Sequence, residues 1–84
     1  MKSYRRDIKR LRRSHYDIDK LEHVIYLLRT RTVLPAIYKQ HRLQGTRDNL
    51  EECHVSPDWL LLYKKTAGIL VLMGTGTHAQ LFKK

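Results

Sequence analysis

Three apolar runs separated by two short turns constrain the fold of this chain more than any other sequence feature. The runs occupy residues 50–55, 59–65 and 69–73, and the turns are Ser56-Pro57-Asp58 and Thr66-Ala67-Gly68. Pro, Asp and Gly favour turns, and connections this short join neighbouring antiparallel strands. The pattern therefore predicts a three-stranded antiparallel meander whose faces are both largely covered.

Helical periodicity characterises the part of the chain before the meander. Tyr4, Ile8 and Leu11 recur at the spacing of one helix face, and basic residues fill the positions between them. After a turn at residues 14–18, Asp19 and Glu22 match a capping box and predict the start of a second helix. The buried stripe of that helix is expected to contain Leu21, Val24, Ile25 and Leu28.

The predicted fold class is therefore α+β. An N-terminal antiparallel helical hairpin is expected to pack on the small antiparallel sheet, because two helices joined by a short turn pack side by side. A short C-terminal helix is expected to begin at Thr77 and to include Leu81 and Phe82. The length of 84 residues fits a single domain spanning residues 1–84, with a modest core.

The chain is strongly basic, with 17 Lys and Arg against 8 Asp and Glu, and a net charge of +9. Such a charge indicates a polyanionic partner, most often nucleic acid and less often an anionic membrane surface. An acidic protein that masks the charge is also compatible. The single cysteine excludes an internal disulfide framework and suits a reducing cytoplasm. The apolar runs are too short to cross a bilayer, so a cytoplasmic protein without a membrane partner is expected.

Two histidines and an aspartate are predicted to converge at one edge of the meander. The end of the first strand, the start of the second and the end of the third meet there, which places His54, Asp58 and His78 together. RNA cleavage needs a base for the 2′-hydroxyl, an acid for the leaving 5′-oxygen and donors for the charged phosphorane. Histidine suits both proton transfers. Taken alone, the convergence is also compatible with ordinary edges of a small core.

A metal site is a competing interpretation of His41, Cys53, His54 and His78. Zinc sites usually contain closely spaced pairs such as CxxC, and this sequence has none. Cys53 and His54 are adjacent, so they face opposite sides of a strand. The sequence therefore favours no metal and no cofactor, and Cys53 is expected to be a buried apolar side chain and not a nucleophile.

Three motifs resemble those of one toxin family. Residues 52–63, Glu-Cys-His-Val-Ser-Pro-Asp-Trp-Leu-Leu-Leu-Tyr, closely resemble the E-C-H-[IV]-x-P-D-W-[LI]-L-[IL]-Y block of YafQ-type toxins. Those toxins belong to the RelE/ParE superfamily of bacterial type II toxin–antitoxin systems. Residues 76–82 resemble the closing G-[TS]-H-x-x-L-F, and residues 40–45 resemble the [DN]-H-x-L-x-G loop. The resemblance extends from about residue 4 to residue 82.

The resemblance implies a ribosome-dependent mRNA endonuclease that cuts the codon in the A site without a metal. It implies three partners: the ribosome, mRNA and a cognate RelB- or DinJ-like antitoxin that masks the basic surface, in a complex that often binds operator DNA. The basic helices would bind ribosomal RNA. His78 is favoured as the general acid, with Asp58 and His54 on the base side. The implied catalytic residues are His41, His54, Asp58 and His78, and the implied substrate-binding residues are Trp59, Phe82, Arg42 and Arg47.

Gly74 departs from the family pattern, which has arginine before T-G-[TS]-H. An arginine there would stabilise charge on the scissile phosphate, and glycine cannot. Either the chain is an attenuated or inactive toxin, or Arg42, Arg47 or Lys64 compensates. An inactive toxin that only binds antitoxin, a ParE-like protein acting on gyrase and a general basic RNA-binding module therefore stay open as alternatives.

The N-terminus departs from the family pattern as well. Family members begin with a short strand before the first helix, whereas here Tyr4 of the helical pattern follows almost at once. A sheet edge is therefore expected to be open unless a partner, such as an antitoxin segment, covers it.

Overall fold

The predicted α+β architecture is confirmed by a computed structural model that describes residues 2–30, 33–43 and 50–82. Four antiparallel strands form one sheet in the order β1-β2-β3-β4. None of the helices in the described ranges has the length and apolarity needed to cross a membrane. The elements are α1 (Lys2–Arg13), α2 (Ile18–Thr30), a 3-10 turn (Ala36–Tyr38), β1 (His41–Arg42), β2 (Glu51–Ser56), β3 (Trp59–Thr66), β4 (Ile69–Gly76) and α3 (His78–Phe82).

The meander is confirmed, with two differences from the prediction. β4 continues to Gly76, beyond the predicted end at residue 73. A further strand, β1, pairs with β2 through His41 opposite Glu52, although the sequence places His41 in a loop. A strand of two residues has no periodicity to reveal it. Between the pairs Leu62–Gly74 and Tyr63–Leu72 the register shifts, so Met73 is an extra residue in β4.

Each of the two later helices has a side-chain cap at its start. Lys20 N donates to Asp17 Oδ1 at 3.3 Å, so Asp17 and not the predicted Asp19 caps α2. The prediction was wrong by two residues because Asp19 already lies inside the first turn. At α3 the predicted start is confirmed: Gln80 N donates to Thr77 Oγ1 at 3.2 Å, and Thr77 N donates to Gln80 Oε1 at 2.9 Å.

One face of the sheet packs against the two long helices and forms the core. Cys53 and Leu61 are fully buried, and Trp59 is 4% exposed. The predicted stripe of α2 is buried at three of its four positions, and Ile25 is partly buried. The core residues are Leu11, Leu21, Val24, Leu27, Leu28, Leu34, Cys53, Val55, Trp59, Leu61 and Tyr63.

Polar side chains of α1 bind the edge of β4. Thr75 N donates to Asp7 Oδ2 at 3.0 Å, and Arg10 Nη2 donates to the Thr75 carbonyl at 3.0 Å. Arg10 also pairs with Asp7 at 2.9 Å. The described residues contain no strand before α1, and side chains of α1 cover the edge of the sheet at Thr75 instead.

The Thr75 hydroxyl continues this polar contact into the core. It donates to the Leu60 carbonyl at 2.7 Å and accepts from Trp59 Nε1 at 2.9 Å. Thr75 is fully buried, so neither Trp59 Nε1 nor the Leu60 carbonyl can form a hydrogen bond with water if the hydroxyl is removed. We define the polar anchor as Asp7, Arg10, Thr75 and Trp59.

Thr75→Val should destabilise the protein by about 1–3 kcal/mol, because it keeps the shape of the side chain and leaves the buried Trp59 N–H unpaired. Urea denaturation measures the change in the free energy of unfolding. Thr66→Val at the exposed end of β3 is the matched control and should change it by less than about 0.5 kcal/mol. Equal effects of the two substitutions would contradict the role given to the polar anchor.

Candidate active site

The sheet face turned away from α1 and α2 carries the histidines. Cys53 points into the core, and side chains alternate along a strand, so Glu52 and His54 point to the opposite face. The strand register extends this face across the sheet in two rows. One row contains His41, Glu52, Leu62 and Gly74, and the other contains His54, Leu60 and Gly76.

Three imidazole rings and a phenyl ring form a line along this face. The ring centroids of His41 and His54 are 6.4 Å apart, and those of His54 and His78 are 6.3 Å apart. Phe82 follows, with its ring 5.9 Å from His78. An open cleft of about 580 Å³ lies beside them, lined by His41, Leu43, Glu52, His78, Ala79 and Phe82.

Asp58 joins this line from the β2–β3 turn. Its Oδ1 lies 3.8 Å from His78 Nδ1, an ion-pair distance that is too long for a hydrogen bond. The Asp58 and His78 side chains are 74% and 58% exposed. The structure therefore brings His54, Asp58 and His78 to one edge of the sheet, and both exposed groups are open to a ligand.

Glu52 is a functional candidate that the sequence analysis missed. Its carboxylate is buried, with Oε1 3.3 Å from His41 Nε2 and 3.7 Å from His54 Nε2. The signal was present in the sequence, because Glu52 and His54 are two residues apart in a strand and must share a face. A single buried carboxylate thus faces two of the three histidines.

The ring of His41 has an oxygen near each nitrogen. Nδ1 lies 2.9 Å from the Lys39 carbonyl, and Nε2 faces the Glu52 carboxylate. These two contacts fix the orientation of the His41 ring beside Glu52.

Two aromatic side chains proposed for substrate binding occupy different environments. Trp59 is 4% exposed, lies in the core and packs edge-on against Tyr16 at 5.0 Å between ring centroids. Its ring supports the start of β3 and offers no face to a base. Phe82 is 37% exposed at the end of α3 and is free to stack.

The structure describes only one of the two arginines proposed for substrate binding. Arg42 is exposed on β1, where it neighbours His41 and therefore points to the opposite face of the strand. Its register partner is Glu51. Arg47 lies outside the described residues, as do all of residues 44–49.

Gly74 is buried on the histidine-bearing face at the edge strand. A Cβ at this position would lie 3.2 Å from Asp7 Oδ2 and 3.3 Å from Leu81 Cδ2. The position that holds arginine in the family motif is thus filled here by side chains of α1 and α3. Lys64 lies four residues along β3 from Leu60, about 13 Å from this end of the sheet.

Metal ligation is the competing interpretation of His41, Cys53, His54 and His78. In the described ranges, no group of three or more His, Cys, Asp and Glu side chains has an arrangement that could hold a metal ion.

The sequence pattern of one protein family, "Bacterial toxin of type II toxin-antitoxin system, YafQ", matches residues 1–83. This chain belongs to the YafQ toxin family. The match covers almost the full sequence and includes every motif on which the resemblance rests. Within the matched range, the structure aligns His41, His54 and His78 along one face.

Individual relatives support the family assignment. The chain is 45% identical to "mRNA interferase toxin YafQ" of Escherichia coli K12, over 94% of this chain and 87% of the relative. It superposes on a chain of the E. coli DinJ–YafQ complex with a TM-score of 0.89 and 41% identity, covering 95% of this chain and 90% of that one. A metal-bound toxin from Helicobacter pylori gives a TM-score of 0.89 at 37% identity, covering 98% and 93%.

Glu52→Gln should change the environment of His41 and His54 while leaving His78 unaffected. The amide keeps the size of the side chain and removes the negative charge that faces both Nε2 atoms. Two-dimensional NMR of ¹⁵N-labelled imidazoles reports the tautomer and charge of each ring. Unshifted His41 and His54 signals would show that Glu52 does not act on these rings.

Cys53 should be unreactive in the folded protein. Burial, and then the negative charges of Glu52 and Glu51, raise the pKa of the Cys53 thiol from 9.0 to about 12. Because the folded state favours the neutral thiol, this contribution to stability is present below pH 9 and is lost as the pH rises towards 12. Iodoacetamide at pH 8 should modify Cys53 only in urea; rapid modification of the native protein would contradict its burial.

Proposed function

We propose that this toxin is an endoribonuclease that cuts mRNA in the ribosomal A site, using histidine and aspartate side chains and no metal. The observation that supports this most strongly is the placement of His54 and His78, whose rings are 6.3 Å apart across an open edge. Each proton-transfer group must lie about 2.6–3.2 Å from its oxygen, so rings at this separation leave room for one phosphodiester between them. The E. coli relative is named an mRNA interferase toxin.

In this mechanism the 2′-hydroxyl attacks the adjacent phosphorus. His54 accepts the hydroxyl proton, and His78 donates a proton to the leaving 5′-oxygen. Asp58, which the sequence analysis put on the base side, lies 3.8 Å from His78 and therefore orients the acid. His54 is the more enclosed of the two rings, with 18% of its side chain exposed. His78 is 58% exposed, which suits an acid that must reach a leaving group in solvent.

Charge and stacking complete the substrate contacts. His41, held in place by Glu52 and the Lys39 carbonyl, lines the cleft in which the substrate binds. Phe82 stacks on a base beside the scissile bond, a contact worth about 1–3 kcal/mol. The basic face of α1 binds ribosomal RNA through its phosphates.

An antitoxin is proposed as the protein partner. A relative was solved as a DinJ–YafQ complex, and the net charge of +9 suits an acidic segment that wraps the toxin. Operator DNA would bind through that complex. The proposed location is the cytoplasm, where ribosomes and mRNA are found.

Cleavage of mRNA on programmed ribosomes tests the proposed function. The unmodified chain should cut in the A-site codon, and His78→Ala should lower kcat by about 10²–10⁴-fold because it removes a general acid. Mapping the 5′ ends of the products gives the cut position. A pH–rate profile that loses its alkaline limb in His78→Ala would identify the acid.

His23→Ala is the matched control. His23 is exposed on α2, away from the histidine-bearing face, and its loss should leave cleavage unchanged. Equal losses in the two variants would indicate a general effect on folding. If the unmodified chain cuts no codon, the enzymatic function is wrong, and antitoxin binding or an action on gyrase replaces it.

A further inference from the structure

We propose that Arg10 of α1 supplies the cationic hydrogen-bond donor of the active site, in place of the arginine that the family motif has at position 74. The inference rests on the proposed endoribonuclease function and adds a catalytic residue to it. It starts from a geometric fact: the guanidinium of a residue in the first helix lies against the strand end that leads to His78.

The position of the guanidinium is fixed by two contacts. Arg10 Nη2 donates to the Thr75 carbonyl at 3.0 Å, and Nη1 pairs with Asp7 Oδ1 at 2.9 Å. A Cβ on Gly76 would lie only 2.7 Å from Nη2, so the group sits directly beside this residue. Gly76 is in one row with Leu60 and His54, two strands or about 10 Å away.

The guanidinium of Arg10 has further N–H donors that can bind a ligand. A guanidinium has five N–H groups, and two of those on Arg10 have partners in the described ranges. The side chain is 34% exposed, so part of it faces solvent at the edge of the site. Its Nε is buried and has no partner among the described residues, so the donors available to a ligand are those of Nη1 and Nη2.

The two glycines of β4 make space for this arrangement. A side chain at Gly74 would press on Asp7 Oδ2 at 3.2 Å, and one at Gly76 would meet the guanidinium itself. Gly76 also has a φ of 154°, which disfavours any other residue. Arginine at position 74 would therefore compete with Arg10 for the Asp7 carboxylate. The position of the Arg10 guanidinium thus depends on glycine at position 74.

Other basic side chains are less well placed. Arg42 points to the opposite face of β1 from His41, and Lys64 is about 13 Å along β3 from Leu60. Lys20 donates to Ser56 Oγ at 2.7 Å at the end of β2, which β3 separates from β4. Among the described residues, Arg10 is the cation that reaches the strand end carrying His78.

The first experiment removes the guanidinium together with the carboxylate that pairs with it. The double variant Asp7→Asn/Arg10→Gln leaves no uncompensated charge, and steady-state cleavage on programmed ribosomes gives its kcat and KM. We expect kcat to fall about 100-fold or more with KM unchanged, because the lost donor acts on charge that develops in the transition state. An unchanged urea midpoint would show that the fold is intact.

Arg13→Ala is the matched control on the same helix. It removes one exposed positive charge from the face proposed to bind ribosomal RNA, so it should raise KM and leave kcat unchanged. If the double variant fails to fold, Arg10→Lys replaces it: lysine keeps the charge beside Asp7 but lacks the planar fork, and kcat should fall at least about tenfold. A kcat within twofold of the unmodified chain in the folded variant overturns the assignment of Arg10.

The second experiment moves the guanidinium back to position 74. Adding Gly74→Arg to Asp7→Asn/Arg10→Gln should restore kcat to within about tenfold of the unmodified chain, whereas Gly74→Arg alone should not raise it. If Gly74→Arg alone activates a chain that is otherwise inactive, the proposed function stands and Arg10 does not fill the role. If neither the unmodified chain nor any variant cuts mRNA, the proposed function fails and the assignment of Arg10 fails with it.

Discussion

The polar anchor between α1 and the end of β4 is the contact on which the rest of the structure depends. It joins residues separated by 68 positions, since Thr75 N donates to the carboxylate of Asp7. Leaving one partner of a buried hydrogen bond unpaired costs about 1–3 kcal/mol, a large part of the total stability of a small domain. The same contact fixes the strand end from which His78 departs, so stability and site geometry share one set of hydrogen bonds.

α3 is held over the sheet by its capping box and by the close approach of Leu81 to β4. The capping box of Thr77 and Gln80 starts the helix immediately after β4, and the small surface of Gly74 lets Leu81 approach the strand. Phe82 is thereby carried to within 5.9 Å of His78. A helix of five residues has little stability of its own, so its orientation comes from these contacts with the sheet.

The parts of the fold that could be predicted from sequence are those with a local signal. The meander follows from three apolar runs and the two short turns between them. The geometry of a meander was enough to predict that His54, Asp58 and His78 meet. β1 has only two residues and so no periodicity, and the cap of α2 is Asp17, two residues before the predicted Asp19. Glu52 could have been found from its spacing to His54.

Arg10 could not have been found in this way. The exposed positions of α1 are almost all Arg or Lys, so the sequence gives no reason to single out one of them. Its importance appears only when the contact with Thr75, 65 residues away, is known. Long-range pairs of this kind leave no periodic trace, because neither residue constrains its own neighbours along the chain.

The order of the site residues along the chain has a consequence for synthesis. The ribosome makes Arg10 early, then His41 and His54, and His78 only after the whole of β3 and β4. At typical rates of about 5–20 residues per second, the interval from His54 to His78 is about 1–5 s. During that time the emerging polypeptide lacks His78, so the line of three imidazole rings can form only after β4 has been made.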